Sequence, residues 1–448
     1  MYQEFKKLVA LAVPVALSQM LIALAGFVDT LMAGRAGVDD LAGVSLGSAL
    51  WVTLMIAPLG LFMAVNPIVG QYLGAKNYQA IVNFMHQSTR VLFFVILALL
   101  GILLFRDVYL GYFIADQHVL AVTSGYLEGL SWGVPAIMAT YLIRPYSEGF
   151  SFTKPYMIAS IISLAVNIPA NYAFIFGHWG APEMGGAGAG WATAIAFWVA
   201  FLVMLGYSLF HPVYQQARIW RRWSSLDNTE INHLMKVGMP IAMTLFVEVS
   251  IFSLVALFLG GNADTEIAAN QVAMNVSYLL FTLPLSISVA ATIRVSNLVG
   301  SRDCFEAFTA AKASVYLAII TALVNIVVLI GFAQPIAMIY TDNAVVIELA
   351  ATLLIYAAMF QLADAFVVPV QGALRGYKDT RLPLLYAILA YWLIALPLGY
   401  ILGLTDLLVP ALGAEGFWIS LVVGLVISGF LMTSRLYSIG RKVMAIST

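Results

Sequence analysis

The stretch LVALAVPVALSQMLIALAGFVDTLMAG, residues 8–34, decides the fold class because it is long, almost entirely apolar and interrupted by a single carboxylate, Asp29. A helix that crosses about 30 Å of hydrocarbon needs roughly 20 mostly apolar residues. The whole chain has the same character: of its 448 residues, 62% are hydrophobic and 10% are charged, and the mean hydropathy is +0.95. This composition argues against a water-soluble domain and predicts an integral membrane protein.

Eleven further segments are long and apolar enough to cross the membrane. The sequence therefore predicts an all-α integral membrane protein with twelve transmembrane helices. The predicted spans are residues 8–34, 44–70, 88–107, 121–147, 154–177, 186–210, 232–260, 267–297, 311–334, 345–372, 381–404 and 411–437.

The basic residues predict the orientation of these spans. If the N-terminus is cytoplasmic, all of the 21 lysines and arginines except Arg35 and Arg106 lie on the cytoplasmic side or at cytoplasmic helix ends. Lysine and arginine in short loops favour the cytoplasm. We therefore expect a multi-pass protein of the bacterial plasma membrane (the inner membrane) with both termini in the cytoplasm.

The two halves of the chain resemble each other. A shift of 226 to 228 residues superimposes prolines, glycines and basic loop residues through six spans. The matched pairs include Pro14 with Pro240, Gly34 with Gly260, Pro58 with Pro284, Gly74 with Gly300, Gly149 with Gly376 and Gly188 with Gly416. This repeat predicts two pseudo-symmetric six-helix bundles with a cleft between them.

The predicted domains are an N-terminal lobe of residues 1–210, a cytoplasmic linker of residues 211–230 and a C-terminal lobe of residues 231–448. The linker contains Arg221 and Arg222 beside a tryptophan. Arginines next to a membrane span usually set its orientation, so we expect no nucleic-acid partner. The expected surroundings are the lipid bilayer, and the expected oligomeric state is a monomer.

Three carboxylates lie within apolar segments: Asp29 in span 1, Glu248 in span 7 and Asp364 in span 10. A carboxylate at the centre of a membrane helix costs roughly 2.5 to 3.5 kcal/mol, so such residues usually face a cavity or a partner. No lysine or arginine lies in the middle of a span to pair with them. The alternative is a neutral, hydrogen-bonded acid that holds helices together; the number of acids favours ion coupling.

Removal from water favours the neutral carboxyl group, whereas a nearby cation favours the carboxylate. Such a group exchanges a proton for Na⁺ or for an organic cation, which is the chemistry of an antiporter. Asn167 and Asn171, four residues apart on one helical face, are candidate oxygen donors. No cofactor is expected apart from this coupling ion.

Other polar and aromatic residues are candidates for binding a drug, although both types also serve helix packing. For Gln271 and Asn275, bridging between helices is as good an interpretation as ligand binding. The candidate substrate-binding residues are Phe246, Phe252, Gln271, Asn275, Tyr278, Phe281 and Gln361.

Several motifs are missing from the sequence. It contains no G-x-x-x-x-G-K-[ST] nucleotide-binding loop, no H-E-x-x-H metal motif and no G-x-S-x-G nucleophile motif. We therefore expect a protein that is not an enzyme; a membrane-embedded enzyme is the alternative from another functional class.

Five segments carry a family resemblance: GFVDTLMAG (26–34), NIPANYAFIFG (167–177), FVEV (246–249), LRGYKDTR (374–381) and LPLGYIL (396–402). With them the chain resembles the multidrug and toxic compound extrusion (MATE) family, NorM type, over nearly its whole length. The resemblance implies two six-helix lobes and the export of organic cations, including dyes and fluoroquinolone-like drugs, in exchange for Na⁺ or H⁺.

The resemblance also implies roles for the acids. Glu248 and Asp364 would form a cation site in the C-terminal lobe and are the candidate Na⁺ ligands. Asp29, with Asn167 and Asn171, would form a protonation site in the N-terminal lobe. NorM-type proteins often carry a tyrosine four residues before the span 10 aspartate, where this chain has Phe360. A lipid-linked precursor flippase of the same superfamily is the nearest alternative; it would need basic residues inside a central cavity.

Overall fold

The computed structural model describes residues 1–220, 223–259 and 264–447. Within those ranges the chain forms helices and no β-strand. The α-helices are α1 (Tyr2–Ala36), α2 (Val38–Met63), α3 (Val65–Gly74), α4 (Tyr78–Leu104), α5 (Arg106–Phe113), α6 (Gln117–Gly149), α7 (Lys154–Phe176), α8 (Ala187–Phe210), α9 (Asn228–Leu259), α10 (Asp264–Gly300), α11 (Cys304–Met338), α12 (Ala344–Gly376), α13 (Arg381–Ala387), α14 (Leu396–Leu404) and α15 (Ala414–Ser447). A 3-10 turn (Pro212–Tyr214) and a π-helical segment (Ile388–Ala395) complete the structure.

The twelve predicted spans are confirmed. Eleven helices of the described chain are long and apolar enough to cross a membrane, with α2 and α3 counted as one span and α13 to α14 as another. The remaining predicted span, 121–147, lies in α6, which is 33 residues long. Within that span α6 carries Glu128 and Arg144, together with several Gly, Ser, Thr, Trp and Tyr residues of low hydropathy.

Several predicted boundaries differ from the observed ones by six residues or more, and two helix starts show why. Span 3 was expected from residue 88, but α4 begins at Tyr78; span 9 was expected from residue 311, but α11 begins at Cys304. Asn77 and Asp303 cap these helices, and their side-chain oxygens accept hydrogen bonds from the amides of Ala80 and Glu306. A polar N-cap starts a helix before the apolar run begins, so hydropathy places the start too late.

The repeat is visible in the backbone. Four non-glycine residues at the ends of helices have left-handed conformations: Lys76 (φ 57°), Ser151 (φ 59°), Arg302 (φ 64°) and Lys378 (φ 61°). Lys76 matches Arg302 at a shift of 226, and Ser151 matches Lys378 at a shift of 227. The same helix-ending turn therefore occurs at equivalent places in both halves.

The repeat also extends to close packing. A Cβ atom on Gly149 would lie 2.8 Å from the side chain of Val69, and a Cβ on Gly376 would lie 2.8 Å from that of Val295. These pairs are equivalent under the repeat, so the same helix contact is built twice. Gly260, which enters one of the sequence matches, and linker residues Arg221 and Arg222 lie outside the described residues.

Packing divides the chain into two compact units, Leu17–Ala242 and Met1–Ala16 with Met243–Thr448. Helices α1 and α9 each contribute to both units. In the first unit α6 packs against α2, α4 and α8; in the second its counterpart α12 packs against α10, α11 and α15. The lobes drawn from the sequence at 1–210 and 231–448 stay a prediction.

An ion pair joins the first turn of α1 to α10. The carboxylate of Glu4 accepts hydrogen bonds from Arg294 Nε at 3.0 Å and Nη2 at 2.9 Å, and from Lys7 Nζ at 2.7 Å. Burial alone would raise the pKa of Glu4, but the positive charges of Arg294 and Lys7 lower the pKa below its usual value. Glu4 thus remains charged while it is 3% exposed.

We expect Glu4→Gln to lower the stability of the second unit by about 1 to 2 kcal/mol at pH 7, because Arg294 loses its partner. A lowered pKa adds stability above the unfolded-state pKa of about 4.3, and this stability is lost as the pH falls through the folded-state pKa. Thermal unfolding in detergent should therefore depend less on acid pH in Glu4→Gln than in the unmodified chain. Exposed Glu348 provides the control, Glu348→Gln, and equal melting temperatures for both variants would contradict this role of Glu4.

Candidate functional site

The first unit contains one buried carboxylate held by neutral donors. Asp29 on α1 is 6% exposed. Its Oδ1 accepts a hydrogen bond from Asn171 Nδ2 at 2.5 Å, and its Oδ2 accepts one from Thr193 Oγ1 at 2.8 Å. In the part of the chain that the structure describes, no basic residue pairs with Asp29. The carboxyl group of Asp29 therefore contacts neutral donors and has no counter-charge among the described residues.

Helix α7 positions the two predicted asparagines together, since residues four apart share one helical face. Asn171 Nδ2 also donates to Asn167 Oδ1 at 3.1 Å, and Asn167 Nδ2 donates to Thr193 Oγ1 at 3.2 Å. The structure thus brings Asp29, Asn167 and Asn171 into one network. Sequence reasoning missed Thr193, because a single threonine in an apolar span gives no signal until the packing of α7 on α8 is known.

Asp364 on α12 is the most isolated acid of the second unit. It is 3% exposed, and its Oδ2 is a buried oxygen with no hydrogen-bond partner among the described residues. The charge of Glu248, which is half-buried, acts on Asp364. Two like charges in such a place need a counter-charge or a proton.

Glu248 on α9 has a partner that was not expected. Its Oε1 accepts a hydrogen bond from Gln371 Nε2 at 2.9 Å, and Gln371 Oε1 accepts one from Arg375 Nη2 at 2.9 Å. Arg375 is 5% exposed, and its charge acts on Glu248. The expectation that these acids lack a basic partner is therefore wrong for Glu248. The arginine lies at the end of α12, and Gln371, one turn earlier, connects it to the acid.

Further oxygens without donors lie close to Asp364. Gln361, one turn before it on α12, donates from Nε2 to the carbonyl oxygen of Ser277 at 3.3 Å. Gln361 Oε1 and Ser277 Oγ are both buried and, among the described residues, have no hydrogen-bond partner. Carboxylate, amide and hydroxyl oxygens are the ligands that hard cations prefer.

The described residues contain no group of three or more His, Cys, Asp or Glu able to hold a metal ion. The buried oxygens of the second unit without a hydrogen-bond partner among the described residues include Asp364 Oδ2, Gln361 Oε1 and Ser277 Oγ. Tyr391 also belongs to this region: it is 5% exposed, and the charges of Glu248 and Asp364 both act on its phenol. It lies in the π-helical segment, and such segments are frequent at functional sites.

The predicted drug-binding aromatics differ in exposure. Phe246 and Tyr278 are 48% and 65% exposed, and Phe281 is half-buried. Phe252 packs edge-to-face on Phe360, with ring centroids 6.0 Å apart. Phe360 thus fills with an apolar contact the place where a tyrosine was expected from the family resemblance.

The predicted polar drug ligands separate into two groups. Gln271 and Asn275 are exposed on α10, and Gln271 Nε2 donates to Asn275 Oδ1 at 3.3 Å. Gln361 is instead 1% exposed and lies one turn from Asp364. The structure therefore associates Gln361 with the buried acid, and Gln271 with Asn275 on an accessible face.

Comparisons with known proteins agree with this architecture. The MatE family model matches residues 14–173 and again 240–401, so each half of the repeat matches it once. The chain is 38% identical over 436 residues to "Probable multidrug resistance protein NorM" of Shewanella oneidensis, covering 97% of this chain and 94% of that protein. It is 37% identical over 440 residues to "Multidrug resistance protein NorM" of Vibrio vulnificus, covering 98% and 96%.

A solved structure, described as the outward-facing conformation of a multidrug resistance MATE family transporter of the MOP superfamily, superimposes with a TM-score of 0.89. Its sequence is 19% identical to this one, and the superposition covers 99% of this chain and 97% of that chain. The two proteins therefore share a fold. Together with the two matches to the family model, these likenesses show that the chain belongs to the MATE family and is of the NorM type.

Proposed function

We propose that this protein exports organic cations and other amphipathic drugs in exchange for an inward-moving cation, Na⁺ or H⁺. Two relatives at 37% and 38% identity carry the name multidrug resistance protein, which supports drug efflux. The observation that carries the coupling is Asp364, a buried carboxylate with one oxygen that has no hydrogen-bond donor among the described residues. A group in that position gains a partner when a cation or a proton arrives.

The cation of the second unit is held by Asp364 and Glu248, with Gln361 Oε1 and Ser277 Oγ as neutral ligands. In the first unit Asp29 takes up a proton, and Asn167, Asn171 and Thr193 orient its carboxyl group. One charge that crosses a membrane potential of 100 mV releases about 2.3 kcal/mol, which sustains roughly a 50-fold drug gradient. A single coupling ion is therefore sufficient for useful efflux.

Alternating access follows if the cation and the drug favour different arrangements of the helices. A ligand shifts such an equilibrium only by its difference in affinity for the two states, so uptake of one ligand promotes release of the other. The candidate drug contacts are Phe246, Phe252, Tyr278 and Phe281, together with Gln271, Asn275 and Gln361. Aromatic faces and adaptable apolar surfaces suit flat cationic drugs.

The protein works as a monomer in the bacterial plasma membrane, surrounded by lipid, with both termini in the cytoplasm. The positions of its lysines and arginines support this orientation. The buried arginines do not favour a flippase that binds a pyrophosphate. Arg144 pairs with Glu148 at 2.8 Å, and Arg375 is engaged by Gln371.

Ethidium efflux from proteoliposomes tests the proposed function. An inward Na⁺ gradient and an inward proton gradient are imposed separately, each with and without an ionophore that collapses it. We expect at least one gradient to accelerate efflux about tenfold over protein-free liposomes, since one coupling ion supplies about 2.3 kcal/mol per 100 mV. Efflux at the protein-free rate under both gradients would contradict the proposal.

A further inference from the structure

The hydrogen bonds of Gln371 fix its orientation. Its Oε1 accepts a bond from Arg375, and a guanidinium carries donors only, so the amide oxygen must face the arginine. The amide nitrogen then faces Glu248 and donates to it. The amide nitrogen of Gln371 therefore presents a fixed donor to Glu248, and a carboxylate accepts such a bond more strongly than a neutral carboxyl group does. Arg375 thus acts on Glu248 through space and through the amide.

The charges of the second unit can then be counted. Glu248 and Arg375 cancel each other across Gln371. The buried charge left over is that of Asp364, which in the described chain has no basic partner. With both acids ionised, Glu248, Asp364 and Arg375 together carry a formal charge of minus one.

The repeat gives an independent comparison. At a shift of 227 residues, Arg144 occupies the place of Gln371 and Glu148 that of Arg375. Arg144 Nε and Glu148 Oε1 are 2.8 Å apart, and Asn66 Nδ2 donates to Glu148 Oε2 at 3.0 Å. The first unit therefore closes its own ion pair at this place, and its left-over carboxylate is Asp29. Each unit is thus left with one buried carboxylate that has no basic partner among the described residues, and different residues produce this in the two units.

A simpler role for Arg375 would be to complement the dipole at the end of α12, where basic residues are common. That role needs no contact with Gln371 and is best served by an exposed side chain. Arg375 is instead 5% exposed and directed at an amide that binds a carboxylate. The dipole contributes to its placement, but it does not explain the connection to Glu248.

We propose that Arg375 is the permanent counter-charge of Glu248, transmitted through Gln371, so that each unit presents one uncompensated carboxylate, Asp29 or Asp364, for one monovalent cation. This inference rests on the proposed function. Arg375 is a positioning residue, because it acts through Gln371 and does not touch the exchanged cation.

Charge complementation tests the inference in full-length protein reconstituted with ethidium. Glu248→Gln leaves Arg375 without a counter-charge and brings the formal charge of positions 248, 364 and 375 to zero. Gradient-driven efflux should therefore fall at least about tenfold. Adding Arg375→Gln restores a net charge of minus one. The double variant lacks the Glu248 ligand but regains the charge balance, so it should export ethidium at least about threefold faster than Glu248→Gln. A role of Arg375 in folding alone would not produce this recovery.

Two single variants separate charge from hydrogen bonding. Arg375→Lys keeps the charge, whereas Arg375→Gln keeps an amide donor for Gln371 and loses the charge. We expect Arg375→Lys to retain most of the efflux and Arg375→Gln to lose it, with melting temperatures recorded to confirm folding. If the double variant does not accumulate in the membrane, Arg375→Lys and Arg375→Gln still show whether efflux needs the charge of Arg375.

Equal efflux by Arg375→Lys and Arg375→Gln would overturn the inference. So would a folded double variant as inactive as Glu248→Gln, or full activity of Glu248→Gln alone. Each of these results requires that the unmodified protein exports ethidium under a gradient. Failure of the unmodified protein is the separate result that refutes the proposed function.

Discussion

Asp364→Asn is expected to abolish gradient-driven ethidium efflux while leaving the folded protein in the membrane. The amide has the shape of the carboxyl group, so packing in α12 is preserved, but it neither takes up a proton nor balances a cation. Placing a charged carboxylate in the middle of a membrane helix costs roughly 2.5 to 3.5 kcal/mol, and an arriving cation or proton relieves this cost only when the carboxylate is present. Glu248 alone does not replace Asp364, because the charge of Arg375 already acts on Glu248.

The measurement is the initial rate of efflux from proteoliposomes under whichever gradient drives the unmodified protein. Asp342 provides a matched control, because it is an exposed aspartate. Asp342→Asn should retain the efflux rate of the unmodified protein. A normal rate for Asp364→Asn, at equal protein content, would show that this carboxylate does not carry the coupling ion.

Gly372→Ala should destabilise the second unit by about 3 kcal/mol, at the upper end of the cost of overpacking a protein core. A Cβ atom on Gly372 would lie 2.2 Å from the carbonyl oxygen of Ser288 and 2.4 Å from its hydroxyl. The clash is with backbone, so α10 and α12 would have to separate. Both helices carry residues of the candidate cation site, and efflux should fall together with stability.

Thermal unfolding in detergent measures this loss, and Gly206→Ala provides the control. A Cβ on Gly206 would meet no atom within 4 Å, and the residue lies inside α8. Alanine there should stabilise the helix by about 0.5 to 1 kcal/mol. The two substitutions should therefore shift the melting temperature in opposite directions, and a shift in the same direction for both would refute the packing argument.

The fold could be predicted because its causes are local in the sequence. Each apolar run is long enough to cross the bilayer. Prolines and glycines at equivalent positions of the two halves reveal the repeat. Helix starts were less predictable, because the cap residues Asn77 and Asp303 lie seven or more residues before the predicted spans. The short helix α5 was missed for a related reason, since eight residues carry little periodicity.

The candidate site was predicted only in part. Asp29, Asn167 and Asn171 are revealed by polarity within an apolar run, and the structure joins them. The connection from Glu248 to Arg375 runs through Gln371. Its hydrogen bond between Glu248 and Gln371 joins residues that are 123 positions apart in the sequence. In the sequence Arg375 is interpreted as a residue at a cytoplasmic helix end, because its link to Glu248 runs through Gln371 and exists only where α9 lies beside α12.

Binding of tetraphenylphosphonium to the purified protein, over a range of pH and Na⁺ concentration, tests most directly the claim that Asp364 exchanges a cation for a drug. The account predicts that affinity falls about tenfold for each tenfold rise in the coupling cation, since the two ligands exclude each other. Asp364→Asn should remove this dependence. An affinity of the unmodified protein that is the same at every pH and every Na⁺ concentration would contradict the account.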